Sequence, residues 1–157
     1  MILYFVRHGI AENREEWFEA DDLRPLTRDG EKRMRTSARW MGKLGVRPAV
    51  ILTSPLVRAR QTADILAEVL SAPVEESPAL EPGFGISALG ELLKAYPDAD
   101  SLLLVGHEPD FSATIEGLMG GGRVSVKKGS LIRVDLFSTT PPRGQLIWNI
   151  PPKLLTL

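Results

Sequence analysis

Only two histidines occur in this chain of 157 residues, and each stands directly after an apolar run and beside a glycine. FVRHG (5–9) ends on Arg7, His8 and Gly9, and VGHEP (105–109) carries Gly106, His107 and Glu108. A third apolar run, AVILT (49–53), is followed by Ser54, Pro55 and, shortly after, Arg58. A fixed cation beside an imidazole costs free energy unless an anion comes between them. Two guanidiniums make a fork that grips phosphate, sulfate or carboxylate in bidentate fashion. Glycines let backbone N–H groups approach such an anion closely. A histidine in that setting has two uses, metal ligation or nucleophilic attack. Ligation is disfavoured, because no carboxylate cluster joins the histidines and two fixed cations repel a divalent ion. An imidazole nucleophile accepts a phosphoryl group and passes it to water, dividing one hard step into two. The second histidine and the arginines then hold the equatorial oxygens as charge spreads in the transition state. Such chemistry calls for no metal and no cofactor.

Something must bring these residues together. ILYFV (2–6), AVILT (49–53) and SLLLVG (101–106) are continuous apolar runs, the pattern of strands covered on both faces. Helices are expected over 29–44, 56–70, 86–96 and from Pro109 to about Met119. In the first, Thr27 or Asp29 serves as cap, and Met34, Ala38, Met41 and Leu44 recur at helical spacing before Gly45. GGG at 120–122 ends the last. Residues 10–28 read as a long polar loop, and loops of that length inside a compact domain are functional or disordered. Its Trp17 and Phe18 either rim a site for a protein partner or pack the loop down. Residues 71–85, punctuated by Pro73, Pro78, Pro82, Gly83 and Gly85, read as an irregular connection. LIRVDLF (131–137) and QLIWNI (145–150) read as two strands joined by a PPRG turn.

This order predicts one α/β domain over residues 1–157: a three-layer sandwich with a largely parallel central sheet flanked by helices, and mixed strands at the C-terminal end. Ligands of such sheets bind beyond the carboxyl ends of the strands. Arg7, His8, Arg58 and His107 are therefore expected to converge on one crevice. Arg58 opposes the dipole at the start of its helix, which suits a bound anion there.

Composition narrows the function classes. The chain is 43% hydrophobic and 25% charged with net charge −1, which offers nucleic acid no basic surface. Without cysteine it has no disulfide, thiol nucleophile or cysteine-held zinc. ILYFV is too short for a signal-peptide core or a membrane span, so a cytoplasmic location away from membranes is expected.

FVRHGIAEN, RPLTRDG (24–30), SPLVRARQTA (54–63) and VGHEP, in that order over residues 2 to about 112, resemble the histidine phosphatase superfamily. More narrowly they resemble its small SixA-type phosphohistidine phosphatases, since the chain is compact and keeps the RPLTxxG spacing. The resemblance implies that His8 is the phosphorylated nucleophile. It implies that Arg7, Gly9 and Arg58 bind phosphate, with His107 as the second histidine of the pocket. Larger relatives use an acidic proton donor between the second helix and the third strand. Glu81 is the candidate by position, Glu75 and Glu76 are rivals, and an ordinary solvated loop carboxylate is an equal reading of Glu81. Phosphohistidine leaves as imidazole, a far better leaving group than an alkoxide, and depends less on such an acid. The expectation is hydrolysis of phosphohistidine on a protein, such as a histidine phosphotransfer domain, through phospho-His8. The alternatives are a small phosphoester cleaved by the same route and a non-catalytic phosphate-binding module.

Overall fold

Side chains of successive strand residues point to opposite faces, and here both faces are covered. The computed structural model describes residues 1–157. Its regular elements are β1 (Ile2–Arg7), α1 (Arg28–Lys43), β2 (Val50–Thr53), α2 (Val57–Leu70), β3 (Val74–Glu76), α3 (Ile86–Lys94), β4 (Ser101–Gly106), α4 (Asp110–Met119), β5 (Leu131–Thr139) and β6 (Pro142–Ile150). They build one sheet in the order β3-β2-β4-β1-β5-β6. The pairs β1–β4, β2–β4 and β2–β3 are parallel, and β5 and β6 join antiparallel. This is the expected α/β sandwich with mixed C-terminal strands.

Tyr4, Val6, Ile51, Leu103 and Val105 face α1 and α2, where Met34, Ala38, Met41, Ala59, Ala63 and Leu66 complete one core. Their neighbours Leu3, Phe5, Leu52, Leu102 and Leu104 face α3 and α4, and meet Leu89, Leu93, Phe111, Ile115 and Leu118. Handedness explains the division. The chain moves from β1 to β2 to β3 in one direction across the sheet, then returns to β4 in the other. Right-handed crossovers put α1 and α2 on one face and α3 on the opposite one. No helix is long and apolar enough to cross a membrane.

Three segments differ from expectation. The stretch 71–85 contains β3, a three-residue edge strand. Pro73 does not prevent it, because its carbonyl accepts from Ile51 N at 2.8 Å and only its missing N–H is lost. The PPRG segment is mostly strand: β6 begins at Pro142, and the turn falls at Thr140 and Pro141. Residues 10–28 are tied down by an Ala11–Leu26 bridge and a 3-10 turn at Asp21–Leu23.

The loop also leans on α1. Thr27 Oγ1 accepts from Gly30 N at 2.8 Å and caps the helix, while Thr27 N donates to the Ile10 carbonyl at 3.0 Å. A Cβ at Gly30 would lie 2.2 Å from that same carbonyl oxygen. Helix propensity favours alanine over glycine by ~1 kcal/mol, but backbone overlap of this size outweighs it. Gly30→Ala is expected to destabilise the chain by about 1–3 kcal/mol, read from urea unfolding; a stabilised variant would contradict the close approach.

Candidate active site

The register of β1 against β4 runs from Ile2–Ser101 to Arg7–Gly106. The next residues, His8 and His107, therefore emerge side by side, with ring centroids 5.4 Å apart. His8 N donates to the Gly106 carbonyl at 3.1 Å, and Ser54 N donates to the Val105 carbonyl at 3.0 Å. Three parallel strands thus end at one level. Close packing beneath them depends on glycine. A Cβ at Gly9 would meet Met34 Cγ at 2.7 Å, and one at Gly106 would meet Phe111 Cζ at 2.7 Å.

Each ring is oriented by a hydrogen bond. His8 Nδ1 lies 2.8 Å from the Gly9 carbonyl oxygen. A carbonyl only accepts, so Nδ1 carries the proton and the lone pair sits on Nε2. His107 Nε2 shares a 2.8 Å hydrogen bond with Ser54 Oγ. Gly9 N donates to Thr62 Oγ1 at 3.1 Å, and Thr62 Oγ1 donates to the Arg58 carbonyl at 2.8 Å. The turn after β1 is thereby fastened to the helix that carries Arg58.

Arg7 and Arg58 reach the same open hollow of about 820 Å³. Arg7 Nη1 donates to the Val126 carbonyl at 3.0 Å. Arg58 Nη1 donates to the Asp21 carbonyl at 2.8 Å and its Nη2 to Asp21 Oδ2 at 3.0 Å. The Nε atoms of both arginines are buried and have no partner within the protein. Buried donors left unmatched are costly, and a tetrahedral oxyanion is the ligand class that would match them.

Electrostatics keep both rings neutral. Burial is the largest influence on His8 and pushes its pKa down to about 3, with His107, Arg58 and Arg7 adding to it and the Gly9 carbonyl opposing. Burial, then Arg58, takes His107 down to about 4. An unfolded histidine titrates near 6.5. Below that pH the unfolded chain binds protons that the folded chain refuses, so stability falls as pH drops from 6.5 towards 4 and rises with pH across the same window. Each histidine adds up to about 1.4 kcal/mol per pH unit to that slope. Urea unfolding at stepped pH is expected to show a shallower acid slope for His8→Gln than for the unaltered chain; identical slopes would mean that His8 is not held neutral.

The sequence-predicted residues Arg7, His8, Arg58 and His107 all line this hollow, whereas Gly9, expected to bind phosphate, lines a smaller neighbouring hollow with Met34 and has its N–H committed to Thr62 Oγ1. The carboxyl groups weighed as proton donor do not line the larger hollow. Exposed Glu81 follows the 3-10 turn Pro78–Leu80, which buries Leu80, and lines an adjoining hollow with Asp22 and Val57. Glu75 accepts from the Tyr96 hydroxyl, and Glu76 pairs with Arg60 at 3.2 Å. Glu108 does line the hollow, and its Oε1 accepts from Ser112 N at 2.7 Å.

Several further charged residues of the lining have no signal of a site role in the sequence, among them Glu12, Arg14, Glu15, Glu16, Asp21, Arg24 and Lys128. Asp21 pairs with both Arg24 and Arg58 at 3.0 Å. Burial alone would raise its pKa, but hydrogen bonds and charge from those arginines outweigh it and keep the carboxylate ionised. Burial, and then Arg7, Arg24 and Arg58, lower the pKa of Lys128. RPLT marked Arg24 as part of a motif, yet nothing in the sequence pairs it with Asp21. The two loop aromatics divide their roles. Trp17 Nε1 donates to the Ala20 carbonyl at 3.1 Å and holds the loop, whereas Phe18 stacks on Trp17 and is 95% exposed.

Comparison with known proteins agrees with this geometry. An uncharacterized protein of Picosynechococcus is 42% identical over 171 residues, covering 96% of this chain and 100% of that one. Phosphohistidine phosphatase SixA of Escherichia coli is 30% identical over 113 residues, 69% of this chain and 68% of that protein. A structure of the protein histidine phosphatase SixA complexed with tungstate superposes with a TM-score of 0.88 at 26% identity, covering 99% of each chain. The profile of the histidine phosphatase superfamily, branch 1, matches residues 3–85, which hold Arg7, His8 and Arg58, and the chain belongs to that superfamily.

Proposed function

We propose that the chain is a metal-independent phosphatase that removes phosphoryl groups from histidine on a protein, through a phosphohistidine formed on His8. The observation that carries this is the state of His8: a neutral ring whose Nδ1 is committed to the Gly9 carbonyl, leaving the Nε2 lone pair free beside two guanidiniums with unmatched Nε donors. Nε2 attacks phosphorus, and the substrate's bond to phosphorus breaks with its electron pair on the leaving group. Arg7, Arg58 and His107 hold the phosphoryl oxygens. Water then attacks phospho-His8, and its proton passes to Glu108, the carboxylate next to His107 in the lining of the hollow. Similarity to a SixA bound to tungstate, itself a tetrahedral oxyanion, supports placing phosphate here. The open hollow and exposed Phe18 suit a protein surface better than an enclosed metabolite.

Rapid mixing with a phosphohistidine peptide followed by alkaline quench tests this. We expect acid-labile, alkali-stable phosphate on the chain, in an amount approaching one per molecule and located on His8. Turnover with no such intermediate at any mixing time, and at a rate that His8→Ala leaves unchanged, would exclude the covalent route.

A further inference from the structure

The hollow that holds the histidines carries its charges in two tiers. The floor is cationic: Arg58 is 4% exposed and Arg24 7%, with half-buried Arg7 beside them. Above it, exposed Glu12, Glu15 and Glu16 line the same wall, together with two exposed cations, Arg14, which leans on Asp21 at 3.6 Å, and Lys128, so the rim keeps an acidic excess of one. None of the three glutamates forms a salt bridge anywhere in the chain. Ala11 is the one hydrophobic residue of the lining, so the wall offers little to an apolar leaving group.

The acidic segment is anchored to the cationic floor. Arg24 Nη1 donates to the Glu12 carbonyl at 2.9 Å. Asn13 Oδ1 accepts from Glu15 N at 2.9 Å, and the Asn13 carbonyl accepts from Glu16 N and Trp17 N at 3.1 and 3.0 Å. Unpaired carboxylates held above an anion-binding floor complement a dipolar ligand, with a phosphoryl group below and a positive charge just beyond it. Esters such as phosphoglycerate would bring a second anion against these three carboxylates, which like charge disfavours. Phosphorylated imidazole, guanidine and amine carry their cation on the very group that must leave.

We propose that Glu12, Glu15 and Glu16 make this site selective for phosphoryl groups on basic nitrogen over O-phosphate esters of anionic molecules. The proposal rests on the phosphatase reading above and extends it from phosphohistidine to phosphoarginine and phospholysine. In the chemical step the His8 Nε2 lone pair forms the new N–P bond. The substrate's P–N bond breaks, and its electron pair stays on the departing nitrogen. A ring protonated at its far nitrogen, a guanidinium or an ammonium leaves as the neutral base with its own proton, so no acid need act at the breaking bond. The wall carboxylates favour that cationic form of the substrate and are not consumed. An alkoxide would need a proton delivered to it.

The test compares kcat/KM on a phosphohistidine peptide, phosphoarginine, phospholysine and 3-phosphoglycerate, for the unaltered chain and for E12Q/E15Q/E16Q. p-Nitrophenyl phosphate, whose leaving group needs neither acid nor cation, checks His8-dependent phosphatase activity by itself. All three sites are exposed, and an unchanged urea midpoint verifies that the variant folds. We expect each N-phosphoryl substrate to be favoured over 3-phosphoglycerate by about tenfold or more. The variant should shrink that ratio about tenfold, and roughly 0.5 M NaCl should shrink it in the unaltered chain too. With His8-dependent turnover of p-nitrophenyl phosphate intact, an unchanged ratio in the variant, or a preference confined to phosphohistidine, overturns the proposal. Failure to turn over any substrate removes the phosphatase reading itself, and the proposal with it.

Discussion

His8→Ala is expected to lower kcat on any phosphoryl substrate by about 10⁴-fold or more while leaving the fold and phosphate binding in place. The size follows from the role: removal of a covalent nucleophile leaves only binding and electrostatic stabilisation, and effects within such a unit are far from additive. The fold should survive because His8 makes one side-chain hydrogen bond, to its neighbour Gly9, and contributes nothing to either apolar core. Removing a buried neutral ring also removes a group that opposes acid stability. Phosphate affinity should hold, since Arg7 and Arg58 keep their tethers to Val126 and Asp21. Calorimetric titration with inorganic phosphate, alongside turnover, separates the roles. Turnover within tenfold of the unaltered chain would remove His8 as nucleophile, and loss of phosphate binding with loss of turnover would recast it as a binding residue.

The parts of this site that the sequence revealed are those attached to strong local patterns. His8 and His107 follow continuous apolar runs, so their placement at strand ends needed only the period of the strand and the rule for ligands of parallel sheets. Arg58 followed from the apolar run before it and the helix after it. Asp21 and Arg24 were hidden for a physical reason. Their partners lie on other elements, and an irregular loop has no period from which a contact can be read. β3 was missed because three residues between prolines carry too little pattern, and its pairing with β2 is a tertiary fact. The PPRG segment shows the opposite failure: turn-forming residues were overruled by pairing with β5. Glu81 was chosen by chain position, but the buried Leu80 beside it fixes where that turn lies.

Asp21 fixes the arrangement of Arg24 and Arg58. It accepts from Arg58 and Arg24 together, while Arg24 also reaches the Glu12 carbonyl. One carboxylate therefore links the floor of the hollow to its acidic wall. Three neighbouring cations, Arg7, Arg24 and Arg58, would repel one another without it. Preorganised donors of this kind act in the transition state because they need little rearrangement when charge develops.

Arg58 is the member of that set whose loss should be felt most after His8. Arg58→Ala is expected to lower kcat/KM by about 10²–10³-fold, the usual cost of one preorganised donor to a developing oxyanion, near 3–4 kcal/mol. Stability should suffer less, because Asp21 keeps its 3.0 Å pair with Arg24 and is 40% exposed, so no buried charge is stranded. Arg58→Lys should recover little of the activity. Arg58 uses two nitrogens on Asp21 and has a third, Nε, unmatched; an ammonium on a flexible stem cannot hold the carboxylate and present a second, fixed donor to phosphate. Steady-state kinetics of both variants, with urea midpoints as the folding control, decide the matter. If lysine restores activity to within a few-fold, Arg58 supplies only charge. If alanine loses stability and activity in proportion, Arg58 is a structural tie for the loop at Asp21 and the oxyanion is held by other groups.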